Sequence, residues 1–370
     1  MITQIGEREA LSLRMHSLLL HGRPGPRPVD VAGVVTWFGA MQAQELGSAL
    51  WSLGARLPGF TADDVQAALE RREALRTWPM RGTLHLVPPR DARWMLELMG
   101  QAALADAARR RAYLGLSERD ADRAVEVLGE ALAGGRRLTR SQCVAALADA
   151  GIDPAGQLGY HLLWYASQRG VTCVAPNIGK EQSFVLLDEW VPDPHRPERE
   201  EALATMAVRY FRSHGPATRQ DFAGWTGLAM ADVRRGIAAA GEALAAVRVD
   251  DREMFLDPAL LDGDRTGATG DGPPWLALPG FDEYLLGFKD RSLMLADEHK
   301  RAVLPGGNGI FQWTIVRDGR VIGTWRRTAG KTRVTVEVRP LVRLAAADRA
   351  RIEAALQPYA SFVGLPLVVR

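Results

Sequence analysis

Lysine is scarce in this 370-residue chain: of its 46 basic residues only four are lysines, and the rest are arginines. The lysines are Lys180, Lys289, Lys300 and Lys331. Because the guanidinium group stays protonated, arginine does not serve as an amine nucleophile. The net charge is only +2, so any binding to nucleic acid requires local clusters of basic residues.

Cysteine and long apolar runs are scarce as well. Cys143 and Cys173 are the only cysteines, and the seven histidines show no metal-ligand spacing, which argues against a disulfide framework or a zinc site. No nucleotide-binding glycine loop is evident, so we expect no metal and no cofactor. No apolar run approaches the roughly 20 residues that cross a bilayer, and residues 1–8 lack the pattern of a signal peptide. We therefore expect a cytoplasmic protein without a membrane partner.

The composition is that of an ordinary globular protein, with 47% apolar and 24% charged residues. Apolar residues at helical spacing predict helices over 7–20, 29–41, 46–55 and 62–72, the last of them capped by Thr61. Residues 76–88 then predict a short hairpin. Helices followed by a hairpin are the order of a winged helix.

Two later segments repeat this order. Leu138-Thr139-Arg140 and Ala217-Thr218-Arg219 each follow a turn that contains glycine, and each threonine is placed to cap the next helix. Second helices are predicted over 157–168 and 231–239, and strands over 171–175 and 183–190. Three such passes favour tandem winged helices, a helix-turn-helix variant that usually binds DNA.

The last third of the chain changes to strands. Residues 192–200 and 262–274 are predicted linkers, and strands are predicted over 292–295, 310–316, 321–325 and 333–338, with a tight turn at Asp318-Gly319. A helix over 345–359 and a short strand close the chain. The predicted fold class is therefore α+β, with three winged-helix units (1–92, 93–193 and 198–262), a small β-barrel (275–342) and a closing helix and strand (343–370).

The triplet Gln42-Ala43-Gln44 stands where the second helix is expected to end. In an extended backbone two glutamines separated by one residue direct their amides to the same side. Each amide can accept through oxygen and donate through nitrogen without carrying charge. Two convergent amides can therefore hold a water molecule and a polar substrate, although Gln-x-Gln is also common at ordinary helix ends.

Three motifs together resemble a known family. They are Gln42-Ala43-Gln44, the stretch RGTLHLVP at 81–88 and the stretch PGFDEYLLGFKDR at 279–291. With them, essentially the whole chain resembles the AlkZ/YcaQ-like winged-helix DNA glycosylases. The resemblance implies that Gln42 and Gln44 are catalytic, in the double-glutamine branch, and that His85 and Pro88 support the site.

The resemblance also implies an activity: removal of N-alkylated purines from double-stranded DNA, including bulky adducts and interstrand crosslinks, in repair or in self-resistance to an alkylating natural product. An N7-alkylated purine already carries positive charge, so it leaves as a neutral base and needs no acid. Positioning of water and electrostatic stabilisation of the sugar cation remain, and neutral amides can supply both. Because no lysine precedes position 180, a Schiff-base lyase step is not expected, and a purely hydrolytic enzyme is predicted. The enzyme is expected to be a monomer.

Basic clusters are the candidate DNA contacts. Arg326, Arg327, Lys331 and Arg333 surround a hairpin tip at Gly330, a shape that can reach phosphate, and Arg81 is a further candidate. Asp282 and Glu283 are predicted to be structural, in a salt-bridged network with Lys289, Asp290 and Arg291.

Two other functions compete at this stage. A regulator with tandem winged helices would bind undamaged DNA with sequence preference. An enzyme acting on a nucleoside would use the amides to grip a free base and would not bind duplex DNA.

Overall fold

The computed structural model describes residues 2–21, 27–262, 275–307 and 309–370. The α-helices are α1 (Glu7–Ser17), α2 (Val31–Phe38), α3 (Leu46–Gly54), α4 (Ala62–Glu70), α5 (Ala92–Met99), α6 (Gln101–Tyr113), α7 (Glu118–Leu132), α8 (Arg140–Asp149), α9 (Leu158–Gln168), α10 (Leu187–Trp190), α11 (Arg199–His214), α12 (Arg219–Thr226), α13 (Met230–Ala240), α14 (Glu283–Leu286), α15 (Lys300–Val303) and α16 (Asp348–Phe362). Short 3₁₀ helices lie at Pro89–Asp91, Gly241–Ala243, Pro258–Leu261, Asp297–His299 and Pro305–Gly307.

The strands alternate with these helices along the chain. They are β1 (Thr3–Ile5), β2 (Met41–Gln42), β3 (Leu75–Met80), β4 (Thr83–Val87), β5 (Leu138–Thr139), β6 (Thr172–Ile178), β7 (Glu181–Leu186), β8 (Ala245–Val249), β9 (Arg252–Leu256), β10 (Trp275–Leu278), β11 (Trp313–Arg317), β12 (Arg320–Ala329), β13 (Val334–Pro340) and β14 (Leu367–Val369). The α+β composition of the fold is confirmed. The predicted linker 262–274 lies outside the described residues, apart from Asp262.

The chain forms two compact units. The first comprises the described residues of Met1–Val65, Leu203–Trp225 and Ala229–Arg370, and the second comprises Gln66–Ala202 and Thr226–Leu228. The predicted division into five segments stays a prediction.

Three helices begin with the predicted threonine caps. The Thr139 hydroxyl accepts from Gln142 N (3.2 Å), and the Gln142 side chain accepts in return from Thr139 N (2.8 Å). Thr218 exchanges the same pair of bonds with Asp221 (3.1 and 3.0 Å), and Thr61 does so with Asp64. Each box satisfies two backbone donors, and a cap is worth about 1 kcal/mol.

The second unit is built on a sheet with the strand order β4-β3-β6-β7-β5. Helices α7, α8 and α9 pack on one another. Their apolar side chains share a core with Trp78 of β3 and Phe184 of β7, both of which are fully buried. This core holds α9 in place, and with it the aromatic side chains described below.

The first unit contains two sheets. In one, β1 runs parallel to β8, and β8 pairs with β9 as a hairpin. In the other, the strand order is β10-β11-β12-β13-β14, and the turn at Asp318-Gly319 has positive φ at both residues (55° and 74°), as a two-residue hairpin requires. The predicted C-terminal β structure is therefore present as a half-barrel sheet, and its closure into a barrel stays a prediction.

One predicted strand was too long, and another was wrong. The strand predicted over 183–190 ends at Leu186 and continues as the short helix α10. Residues 292–295 form a turn, in which the amides of Met294 and Leu295 donate to the carbonyl oxygen of Arg291 (2.9 and 2.8 Å). Leu293, Met294 and Leu295 are all buried, so this apolar run has no solvent-facing side and does not alternate as a half-buried strand would.

Helices followed by a hairpin occur as predicted, for example α11, α12 and α13 before β8 and β9. The assignment of these elements as winged helices stays a prediction. Helix α2 ends at Phe38, three residues earlier than expected, because Gly39 takes a left-handed φ of 79° at its C-cap.

Candidate active site

Gln42, Ala43 and Gln44 connect α2 to α3 in the first unit. Gln42 lies in the short strand β2 and is 8% exposed, Ala43 is buried, and Gln44 is exposed. Glu45 caps α3 directly after the triplet, because its carboxylate accepts from the amides of Gly47 (3.0 Å) and Ser48 (2.6 Å). The cap fixes the C-terminal end of the triplet to a helix.

A buried carboxylate fixes the other end. The backbone N–H of Gln42 donates to Glu283 Oε1 at 3.0 Å, and the indole N–H of Trp225 donates to Glu283 Oε2 at 2.9 Å. The imidazole Nε2 of His214 lies 3.4 Å from the same Oε2. Glu283 is 1% exposed and His214 fully buried. Hydrogen bonds to an ionised group in such a setting are stronger than neutral ones, so Gln42 is held firmly through its backbone.

Aromatic packing sets the position of His214. Its ring stacks on Tyr210 at 4.6 Å and meets Phe38 edge-on at 5.6 Å. A Cβ atom at Gly287 would lie 2.2 Å from the His214 ring, so any larger residue at position 287 would displace the imidazole. Glycine is therefore required there for steric reasons.

Asp282, next to Glu283, joins α3 to the start of α14. Its two carboxylate oxygens each accept from Arg56 at 2.8 Å, and Oδ2 also accepts from the Ser52 hydroxyl at 2.6 Å. Arg56 is 2% exposed. The pair is bidentate, which adds geometric specificity to its energy.

The salt-bridged network predicted within 282–291 is therefore corrected: the carboxylates of Asp282 and Asp290 pair with arginines outside this segment. Asp282 pairs with Arg56, which lies two residues past the end of α3, and Asp290 pairs with Arg252 of β9. The Asp221 carboxylate accepts from the backbone amides of Lys289 (2.9 Å) and Asp290 (3.0 Å). The contacts of this segment reach other elements, and Glu283 among them contacts the glutamine triplet.

Arg327 lies beside the triplet. Its guanidinium is 3.9 Å from the Glu45 carboxylate and stacks over Trp313 at 4.4 Å. Arg327 Nε and Ser48 Oγ are buried without a hydrogen-bond partner among the described residues. Unpaired buried donors of this kind are costly to the folded protein.

Arg326, Lys331 and Arg333 are exposed around the hairpin between β12 and β13. The turn is closed by the Gly330 amide, which donates to the carbonyl oxygen of Arg333 at 2.9 Å. Arg326 and Arg327 are adjacent in a strand, so they point to opposite faces of the sheet. The structure thus places Lys331 and Arg333 at the tip of this hairpin, Arg326 further along β12 opposite Glu337, and Arg327 against Glu45, which directly follows the triplet.

The predicted residues Arg81, His85 and Pro88 belong to the second unit, on the hairpin of β3 and β4. His85 is fully buried. Its Nδ1 lies 2.7 Å from the carbonyl oxygen of Thr83 and its Nε2 lies 3.3 Å from the Arg81 guanidinium. A carbonyl only accepts and a guanidinium only donates, so this geometry selects the neutral imidazole with its proton on Nδ1. His85 therefore orients Arg81, and Pro88 ends β4 as a buried residue.

Neither cysteine is a candidate nucleophile. Both are buried, and burial raises the pKa of each thiol, Cys143 and Cys173, to about 12.

Among the described residues there is no group of three or more His, Cys, Asp or Glu side chains that could hold a metal ion. No helix in the described part of the chain is long and apolar enough to cross a membrane.

Sequence reasoning did not find the roles of Glu283, His214 and Trp225. Glu283 was within a motif that was singled out, but nothing in the local sequence links it to Gln42, because the two are 241 positions apart. The motif that contains Glu283 could be recognised from the sequence, whereas its contact with Gln42 could not.

Comparison with known proteins identifies the family. A family model described as DNA glycosylase AlkZ-like matches residues 35–362. An interstrand DNA cross-link repair glycosylase from Streptomyces sahachiroi is 30% identical over 330 residues, which cover 86% of this chain and 87% of that protein. The solved structure of Streptomyces sahachiroi DNA glycosylase AlkZ superposes with a TM-score of 0.80 at 26% identity and covers 100% of both chains. The resemblance seen in the sequence is confirmed: the chain belongs to the AlkZ-like family of DNA glycosylases and is a DNA N-glycosylase.

Proposed function

We propose that this enzyme hydrolyses the N-glycosidic bond of N7-alkylated purines in double-stranded DNA, including bulky adducts and interstrand crosslinks, with Gln42 and Gln44 as its catalytic residues. The observation that supports the proposal best is the contact between Glu283 and the backbone amide of Gln42. This contact fixes the position of Gln42 without using its side-chain amide, which stays available for chemistry.

The chemistry needs no acid. The alkylated purine is cationic and leaves as a neutral base, so the enzyme has to place a water molecule below C1′ and stabilise the positive charge that grows on the sugar. Positioning can lower a barrier by about 7 kcal/mol or more. Glutamine carbonyl oxygens directed at the sugar add electrostatic stabilisation where the cation forms.

A lyase step is not part of the proposal. It would need an amine that forms a Schiff base with the sugar, and no lysine precedes position 180 in the chain. We therefore propose a monofunctional enzyme that leaves an abasic site and an intact strand.

Activity on crosslinks is supported by the name of the Streptomyces relative, an interstrand DNA cross-link repair glycosylase. We propose that the cations of the hairpin between β12 and β13, Arg326, Lys331 and Arg333, bind DNA phosphates, that Arg327 acts beside the triplet, and that Arg81, oriented by His85, is a further DNA contact. A monomer in the cytoplasm, acting in repair or in self-resistance, is the setting that we propose.

The test uses a duplex joined by an N7–N7 guanine crosslink. Wild type is expected to separate the strands on a denaturing gel and to leave an alkali-labile abasic site with no nick. The Gln42→Ala/Gln44→Ala variant is expected to leave the crosslink intact. Binding of undamaged duplex with sequence preference, without base release from crosslinked or singly alkylated DNA, would favour a regulator and overturn the proposal.

A further inference from the structure

A second site lies in the second unit, apart from the residues assigned above to catalysis. A cavity of about 790 Å³ opens between helices α6 and α9, next to the turn Arg81-Gly82. Its volume is within the range of small-molecule sites, about 300–1,000 Å³. The cavity is therefore large enough to hold a small molecule.

One wall of the cavity is aromatic. Tyr160, His161 and Trp164 of α9 line it, and the rings of His161 and Trp164 stack with centroids 5.5 Å apart and planes 28° from parallel. Small and apolar residues of α6 and its approach, including Ala103 and Ala107, also line the cavity. Aromatic rings together with small side chains suit a planar ring.

The rim is positively charged. Arg81, Arg110 and Arg140 line the cavity with a single carboxylate, Asp106, so three positive charges oppose one negative charge. The Arg140 guanidinium lies 5.3 Å from the centre of the Tyr160 ring, a cation–π distance. Guanidinium groups beside aromatic rings favour a ligand that is both flat and anionic.

One residue of this wall has an unpaired ring nitrogen. His161 is 8% exposed, and its Nε2 is buried with no hydrogen-bond partner among the described residues. An unpaired buried nitrogen is costly to the folded protein. Burial lowers the pKa of His161, with Arg111 and Arg110 adding to the effect, so the ring is neutral at pH 7 and can donate or accept.

We propose that this cavity binds a planar aromatic group that carries a negative charge, with the ring stacked on Trp164 and Tyr160 and the charge on Arg110 and Arg140. A nucleotide of DNA and a free aromatic acid share this chemistry. The test of this site measures ligand binding and not base release, so its result does not depend on the roles proposed for Gln42 and Gln44.

The test is a titration of the full-length protein followed by tryptophan fluorescence. The probes are dGMP, its uncharged counterpart 2′-deoxyguanosine, and indole-2-carboxylate. Saturable binding of dGMP or of indole-2-carboxylate is expected, and 2′-deoxyguanosine is expected to bind about tenfold more weakly than dGMP if the charge contributes about 1.4 kcal/mol.

A steric variant and its control locate the site. Ala103 is half-buried on the cavity wall, whereas Ala105, on the same helix, is exposed and does not line the cavity. Ala103→Phe is expected to weaken binding about tenfold or more, and Ala105→Phe to leave it unchanged.

A charge variant and its control test the anionic part. Arg110 lines the cavity and neighbouring Arg109 does not, and both are exposed. Arg110→Gln is expected to weaken the binding of dGMP and of indole-2-carboxylate and to leave the binding of 2′-deoxyguanosine unchanged, and Arg109→Gln is expected to affect none of them. Circular dichroism and thermal unfolding establish that each variant is folded.

The pattern of binding then decides the source of the ligand. Binding of dGMP alone assigns the cavity to a nucleotide, and binding of indole-2-carboxylate alone assigns it to an aromatic acid. The proposal is overturned if neither dGMP nor indole-2-carboxylate binds at millimolar concentration, if 2′-deoxyguanosine binds as well as dGMP, or if folded Ala103→Phe binds like wild type.

Discussion

Gln42 illustrates how much a single residue depends on others far away in the chain. Its backbone amide is held by Glu283, whose second oxygen accepts from Trp225 and faces His214. The motif around Gln42 could be recognised from the sequence because its residues are contiguous. The clamp could not, because a contact across 241 positions leaves no local pattern.

Glu283→Gln tests the clamp at this scale. An amide replaces one carboxylate oxygen with a second donor, so either Gln42 N–H or Trp225 N–H then faces an N–H group. We expect base release to slow by about 100-fold, as a misplacement of about 1 Å can cause, with DNA affinity unchanged. Single-turnover base release and a DNA-binding titration measure the two quantities.

The matched control is Glu298→Gln, because the Glu298 side chain is 79% exposed. It should release base at the wild-type rate. A folded Glu283→Gln variant with wild-type turnover would show that the contact is structural only.

Cys143 and Cys173 give a second prediction for single residues. Since burial raises the pKa of each thiol to about 12, both stay protonated in the folded protein well above the ordinary cysteine pKa of about 8.5. Neither should react with iodoacetamide at pH 9, whereas both should react in urea. Stability should fall as pH rises above about 8.5, because the unfolded thiols ionise and the folded ones do not. Rapid alkylation of the native protein would contradict this.

At the scale of elements, local chemistry determined some features and tertiary contacts the others. The threonine caps and the Asp318-Gly319 turn were predictable because hydroxyl capping and positive φ act within a few residues. The run at 292–295 was mispredicted, because burial on all sides hides the alternation that distinguishes a strand. The attachment of α3 to α14 was likewise hidden, since Arg56 and Asp282 are 226 positions apart.

Asp282→Asn tests this attachment. Breaking one side of a buried ion pair leaves Arg56 uncompensated, so we expect the free energy of unfolding to fall by about 3–5 kcal/mol, measured by urea denaturation. Asp297→Asn, at a side chain that is 83% exposed, should change it little. The attachment would be unimportant if both variants unfolded at the same urea concentration.

At the scale of the whole molecule, a net charge of +2 gives no strong general attraction to DNA, so affinity depends on where the cations lie. The family could be recognised because its motifs are contiguous segments at several places in the sequence. The packing contacts could not be predicted, because each of them joins residues that are far apart in the chain. The predicted cations of the hairpin between β12 and β13, Arg326, Lys331 and Arg333, are each exposed and are candidates for such local contacts.

Arg326→Gln/Lys331→Gln/Arg333→Gln should weaken DNA binding uniformly across sequences. The dependence of log K on log salt should decrease by about one for each phosphate contact that is lost. Arg343→Gln/Arg349→Gln, which changes two other exposed cations of the same unit, is the control and should keep the wild-type slope. Equal slopes in the triple variant and in wild type would remove these residues from the DNA interface.

The most direct measurement of the central claim is the single-turnover rate of base release from duplex DNA that contains N7-methylguanine. Wild type and Gln220→Ala, an exposed glutamine of α12, are expected to release the base at the same rate and to leave an unbroken strand. Gln42→Ala/Gln44→Ala is expected to fall to the uncatalysed rate while it still binds the duplex. Wild-type turnover by that folded double variant would contradict the assignment of Gln42 and Gln44 as the catalytic pair.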